Sequence, residues 1–283
     1  MRVSVIIPAR NERYLSATVQ DILRNAVGDI EVITVLDGYE PDPQLPNDSR
    51  VIVLRKSRPE GMRPAINDAL KVAQGKFLMK CDAHCSFAYG FDDVLAAECD
   101  ADWVVVPRRY GLDPVKWERT GEMPRDAHYL CWPYRDPGKA PAMRGLTWHQ
   151  RGLDRVHVLL DNEMSSQGSC WFQHRNYFEK FGGVPLEGYG PFVQEFQQVG
   201  NRTWLSGGRV VVNKKTWYSH WYKRDGQGYV LSPRHSREGI AYSADFWLNN
   251  RWVDRTHDIE WLVDKFWPVP SWPVDKETWR VNT

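Results

Sequence analysis

The chain has 283 residues, with 42% hydrophobic and 26% charged residues and a formal net charge of +1. These values are ordinary for a soluble protein of one large α/β domain or two small ones, and so small a charge gives no global pull toward nucleic acid or a membrane. No apolar run reaches the ~18 residues of a membrane span. Five cysteines without a paired framework (Cys81, Cys85, Cys99, Cys131 and Cys170) suit reduced thiols and a cytoplasmic setting. With a first strand expected at Val3, no targeting segment is expected.

In chain order, residues 3–7 form a short apolar run closed by Pro8, the pattern of a buried parallel strand. Residues 15–26 carry apolar side chains at helical spacing, with Gly28 placed as a C-cap. A second strand is expected over 30–36, ending in Asp37-Gly38, and a third over 51–54. Residues 63–73 read as a helix stopped by Gly75, and 77–80 as a fourth strand running into Asp82-Ala83-His84. This alternation implies a parallel sheet with helices on both faces, whose ligands sit at strand carboxyl ends. Pro8-Ala9-Arg10-Asn11, Asp37 and Asp82 all fall at such ends.

A further strand is expected over 102–106. Residues 108–152 are polar and rich in Pro, Gly and aromatics, the mark of a long binding loop with little regular structure. Regular structure is expected again at 169–172, in helices over 176–181 and 192–204, and in a strand over 209–212. From Asp225 the chain reads as a tail with helical pieces. Nine of the fourteen tryptophans lie after residue 200; most suit packing, and some suit stacking on a sugar or a base. Between Arg202 and Arg237 eight basic residues stand against Asp225 alone, either a solvated face or a site for a polyanion.

Asp82 and His84 form the first chemical constellation. At i and i+2 of an extended segment they project to one side. A carboxylate with an imidazole suits Mn²⁺ or another borderline ion better than Ca²⁺, and such an ion would neutralise a leaving diphosphate. Asp-x-His alone is a weak motif. Cys81 and Cys85 flank it, yet Cys-x₃-Cys without a second pair is a poor zinc signature.

Several motifs in order carry a family resemblance. The segment from Val3 to Glu12 resembles the opening strand of family 2 glycosyltransferases. Asp37-Gly38 stands where that group keeps an acid for the uridine, and Gly61-Met62-Arg63-Pro64-Ala65-Ile66-Asn67 resembles its Gly-x-x-x-Ala-x-Asn helix start. Asp82-Ala83-His84-Cys85 resembles the polypeptide N-acetylgalactosaminyltransferase form of the metal motif. Gly168-Ser169-Cys170-Trp171-Phe172, with Arg175-Asn176-Tyr177-Phe178 and Gly182-Gly183, is similar to the sugar-side strand and helix. Glu195 precedes Gly207-Gly208 by the family's twelve-residue spacing, with Trp204 between. Ser219-His220-Trp221-Tyr222-Lys223-Arg224 is similar to Gly-His-Val-Phe-Arg, whose histidine is a third metal ligand.

The resemblance spans Val3 to Arg224 and implies a GT-A fold: a Rossmann-like, mostly parallel sheet with helices on both faces, plus a C-terminal extension. It implies a catalytic domain over 1–224, with a nucleotide-binding half at 1–100 and an acceptor half at 101–224, and a Trp-rich extension over 225–283. Asp82, His84 and His220 would hold Mn²⁺ (or Mg²⁺). Pro8, Ala9, Arg10, Glu12, Asp37, Arg63, Asn67, Gly168, Ser169 and Trp171 would bind the donor; Trp221, Lys223 and Arg224 would meet the acceptor or diphosphate. Glu195, with Asp82, would be catalytic, as general base in an inverting enzyme or as a sugar-holding group in a retaining one.

There are departures from the pattern. The family's arginine is Ile66, which leaves Arg63 for the phosphates. Gly-Glu-Asn reads Gln194-Glu195-Phe196, the second acid is Gln198, and the sugar-side Gly-Gly is Gly168-Ser169. From the residues alone, Glu195 is equally a surface carboxylate; His220 reads also as a structural histidine and Asp37 as a turn cap, while their places at strand ends favour a metal ligand and a uridine or ribose contact.

Three functions follow as expectations. The first is transfer of a hexose or N-acetylhexosamine from a UDP-sugar to a hydroxyl, with the likeness favouring retention. The second is the same donor chemistry on a hydroxymethylated base of phage-like DNA, for which the basic stretch would track phosphates. The third is a non-catalytic nucleotide-sugar-binding module, against which Asp82, His84 and Glu195 stand.

Overall fold

The apolar runs become the central strands of one large sheet. A computed structural model describes residues 1–133, 142–223 and 232–279. The first half alternates β1 (Val3–Ala9), α1 (Leu15–Asn25), β2 (Ile30–Asp37), β3 (Val51–Lys56), α2 (Met62–Val72), β4 (Phe77–Cys81), β5 (Cys85–Phe87) and α3 (Phe91–Ala97). Then come β6 (Trp103–Asp113), β7 (Glu118–Arg119), β8 (His128–Leu130), β9 (Gly145–Thr147), α4 (His149–Asp154), β10 (Leu160–Asn162), β11 (Cys170–His174), α5 (Arg175–Lys180), α6 (Glu195–Leu205) and β12 (Arg209–His220). Helices α7 (Pro233–Leu248) and α8 (Ile259–Lys265) follow, and a 3-10 turn over Lys276–Trp279 closes the described chain.

The strand order is β10-β12-β6-β11-β4-β1-β2-β3, with β5 on β12 and β7 on β6. Pairs β1–β2, β1–β4, β2–β3 and β6–β12 are parallel, and β11 runs antiparallel between β4 and β6. Strands β1, β2 and β4 are buried almost throughout, as expected of a sheet covered on both faces.

Register sets the site. Ala9 pairs with Leu36 and Ile6 with Lys80, so Pro8, Asp37 and Asp82 emerge at one edge. His220 pairs with Cys85, which brings it beside His84 across 136 positions of sequence. Long-range pairing here supplies what no local pattern could.

Several expectations are corrected. The strands expected over 102–106 and 209–212 run on to Asp113 and His220, because these polar extensions pair with each other beyond an irregularity between Asn213 and Trp217. The expected loop over 108–152 therefore contains the rest of β6, then β7, β8, β9 and α4. Gly28 is not a C-cap: α1 ends in an extended Ala26, and the Val27 and Gly28 amides donate to Asp92. A Cβ on Gly28 would stand 2.9 Å from an Asp92 oxygen, so close approach selects glycine. Helix α6 starts at Glu195 rather than 192, because Gln194 is left-handed at φ 57°.

Most tryptophans pack. Trp171, Trp204, Trp247, Trp272 and Trp279 are buried. Trp272 donates to Leu130 O at 2.7 Å and Trp252 to Ser206 Oγ at 2.8 Å, laying the C-terminal segment against earlier elements. Among the described residues no helix is long and apolar enough to cross a membrane.

Candidate functional site

A cleft of about 260 Å³ opens at the sheet's carboxyl edge, lined by Pro8, Ala9, Arg10, Glu12, Asp37, Asp82, His84, His220, Trp221 and Lys223 among others. At its floor Asp82 Oδ2 lies 3.2 Å from His220 Nε2 and 3.9 Å from His84 Nε2. One ligand atom from each of the three lies within 4.8 Å of the others. One carboxylate oxygen and two imidazole nitrogens fit a borderline divalent ion.

Neighbouring groups hold these ligands in place. Asp82 Oδ1 accepts from the buried Lys80 Nζ at 2.6 Å, which also donates to Gly168 O at 2.7 Å. That leaves Oδ2 facing the imidazoles. His84 Nδ1 lies 3.2 Å from Glu12 Oε2, and Glu12 Oε1 pairs with Lys223 Nζ. A carboxylate on one ring nitrogen presents the other to a metal. The buried Nδ1 of His220 has no partner among the described residues.

The charges are poised for ligation. Burial alone would raise Asp82, but the Lys80 ammonium and the histidines hold it well below the usual carboxylate range. Burial likewise works upward on Glu12, and His84 and Lys223 outweigh it. Burial pushes His220 down to about 4, so it is a neutral ligand at pH 7. Burial pushes the Cys81 and Cys85 thiols far up, which does not suit zinc thiolates.

The sugar-side residues form a second, enclosed group. Glu195 Oε1 accepts from Trp171 Nε1 at 2.5 Å, and burial raises its pKa, with Lys80 opposing. Gly168 lies at φ +83°, and a Cβ there would sit 2.7 Å from Glu195 Oε2. Ser169 accepts the Asp82 amide on its carbonyl, and its hydroxyl meets Tyr218 OH at 2.7 Å. Asp37 lines the cleft while its oxygens accept the Glu60 and Gly61 amides at 2.6 and 2.9 Å.

Two expected donor residues face elsewhere. Arg63 is fully buried, donates to Pro185 O and Val193 O, and lies over the Tyr189 ring, so it does not meet phosphates. Its guanidinium finds neighbouring carbonyls before it finds the cleft. Asn67 pairs through both amide atoms with the Val184 backbone and pins that loop. Arg224 lies outside the described residues.

The basic stretch does not make one face. Arg202 donates to Gly183 O inside the protein, Arg209 to Asn162, and Lys214 to Arg155 O. Lys215 pairs with Glu98, Lys223 with Glu12 and Arg234 with Glu238. Lys80 carries no signal in the sequence beyond a lone charge in an otherwise apolar strand, and the motif places Glu12 at the nucleotide whereas the structure places it on His84.

Known proteins supply the context. The family model described as Glycosyl transferase family 2 matches residues 4–182. No curated protein sequence matches the chain. The crystal structure of GalNAc-T7 with UDP, GalNAc and Mn²⁺ superposes with a TM-score of 0.65 at 18% identity, over 88% of this chain and 49% of that one. Residues 1–349 of S. aureus TarS with UDP-GlcNAc superpose with a TM-score of 0.56 at 17% identity, over 90% of this chain and 68% of that one. The likeness is one of fold, and the chain spans about half the length of the GalNAc-T7 chain.

Proposed function

The chain belongs to glycosyl transferase family 2, and from that premise we propose that it moves a sugar from a UDP-sugar to an acceptor hydroxyl with a divalent ion, Mn²⁺ or Mg²⁺, at Asp82, His84 and His220. The observation that carries this reading is the convergence of those three side chains beside Pro8, Ala9, Arg10 and Asp37. When bound, such an ion supplies positive charge to the departing diphosphate. Glu12 orients His84, and Lys80 keeps one Asp82 oxygen turned to the imidazoles. The loop after β1 and Asp37 hold the nucleoside, and Trp221 and Lys223 close over the diphosphate.

Glu195 is enclosed and already bound to an indole N–H. That supports a group that holds a donor hydroxyl rather than a base open to the acceptor, and so supports retention. Residues 1–224 would form the catalytic unit and 225–283 an extension upon it. A DNA acceptor loses support, because Arg202 and Lys214 are engaged inside the protein and Lys215, Lys223 and Arg234 are each paired with a carboxylate.

A screen of nucleotide-sugars by thermal shift tests the reading, since a ligand that binds only the folded state raises its melting point. A UDP-sugar should stabilise the protein with Mn²⁺ and be consumed. Stabilisation indifferent to metal, with no donor turnover, would sink it.

A further inference from the structure

A second cleft, of about 890 Å³, lies off the donor site. Residues alternate across a strand, so Trp217 faces away from Tyr218 and His220. Its walls carry the rings of Tyr89, Tyr110, Trp117 and Trp217, with Arg119 among them.

Three observations point to a ligand. First, Trp117 is left-handed at φ 58°, a genuine outlier for a bulky residue. Its pose is held by its indole N–H, which donates at 3.0 Å to Asp21, a carboxylate only 7% exposed that also accepts the Phe87 amide. Strain retained this way marks binding sites more often than packing. Second, the Arg119 guanidinium lies 4.4 Å over Trp217 and 4.7 Å over Tyr110. It has no hydrogen-bond or carboxylate partner among the described residues, so its N–H groups are pre-set donors. The buried Thr120 hydroxyl likewise lacks a partner. Third, the walls carry Arg24 and Arg119 against Asp21, Glu118 and Glu122. Carboxylates in excess repel a polyanion, whereas rings and hydrogen-bonding groups suit an uncharged polar ligand.

A run of rings links the wall of this cleft to the wall of the donor site. The Trp117 ring lies 6.1 Å from Tyr14, which lies 5.0 Å from Trp221 at the donor cleft. Trp217 stands three positions before His220 on one strand, about 10 Å at the strand rise. We infer that this cleft binds a neutral oligosaccharide, the portion of a glycan acceptor remote from the transferred sugar; the inference rests on the glycosyltransferase reading above.

The test is binding of short neutral oligosaccharides of gluco, manno, galacto and N-acetylglucosamine type, read by tryptophan fluorescence. A heparin fragment and single-stranded DNA serve as polyanionic comparators. At least one neutral oligosaccharide should bind saturably and better than either polyanion. Tyr89 is 78% exposed and Arg119 is exposed as well, so Tyr89→Ala and Arg119→Ala should fold, and each should weaken binding about tenfold. Binding of UDP with Mn²⁺ should be the same in both variants. If no neutral oligosaccharide binds, if a polyanion binds better, or if both variants bind like wild type, the assignment is overturned. Intact UDP binding in that case leaves the donor reading standing; oligosaccharide binding without UDP binding removes the donor reading alone.

Discussion

The donor cleft and the ring-lined cleft share a strand, β12, and are held by different forces. In the donor cleft the two acids beside the imidazoles each have a designated cation or ring nitrogen: Lys80 on Asp82, and His84 and Lys223 on Glu12. In the ring-lined cleft the order comes from packing, with Arg119 across two aromatic faces and Trp117 tied to a single carboxylate. Charge pairs at short range set geometry for an ion and a diphosphate. Rings with mixed charge set a surface for something larger and uncharged. One site should therefore respond to charge-changing substitutions and metal, the other to loss of ring area.

The largest expected effect breaks the comparison if it fails. Asp82→Asn keeps an acceptor for Lys80 but removes the charge. It should lower metal-dependent turnover by about 10²–10³-fold, with the ring-lined cleft unaffected. Donor turnover measured on the purified variant decides this, and near-normal turnover would remove Asp82 from the site.

Next is Glu12→Gln, which preserves size while losing the carboxylate on His84. Mn²⁺ affinity, followed by titration, should fall about 10–100-fold. An unchanged affinity would show that Glu12 does not act on the metal through His84.

Gly168→Ala is a test of the enclosed sugar side. Positive φ and a Cβ 2.7 Å from Glu195 Oε2 should cost about 1–3 kcal/mol in denaturant unfolding. A stability equal to wild type would mean the loop yields at no cost.

The remaining test is one of pH. His220 sits at about 4 when folded, below an unfolded value of about 6.5, so the unfolded chain binds more protons between them. The stability from its neutral form is complete above about 6.5 and is lost as pH falls toward about 4. Burial and Arg109 lower His128 with the same sign. The metal-free wild type should lose more melting temperature between those limits than His220→Asn does. Equal losses would contradict the buried neutral imidazole.

What was legible in the sequence was local. Val3 to Pro8, Asp37-Gly38 and Asp82-Ala83-His84 could be placed at strand ends because an apolar run followed by a polar residue specifies the exit point. His220 was reached through motif order, and register explains why it arrives: it pairs with Cys85. The rest depended on contacts that sequence does not display. The motif assigns Arg63 to phosphates, yet its partners Pro185 and Val193 lie 122 and 130 residues away. Lys80 was hidden because a buried lysine leaves no pattern beyond its own letter. The ring-lined cleft draws on α1, β5, the β6–β7 hairpin and β12, segments with no common motif.

The most direct measurement is a calorimetric titration of UDP into wild type and Asp82→Asn, with and without Mn²⁺. Wild type should bind UDP in a Mn²⁺-dependent way, and Asp82→Asn should lose that binding. Binding of equal strength without metal, or undiminished in Asp82→Asn, would contradict a metal site at Asp82, His84 and His220.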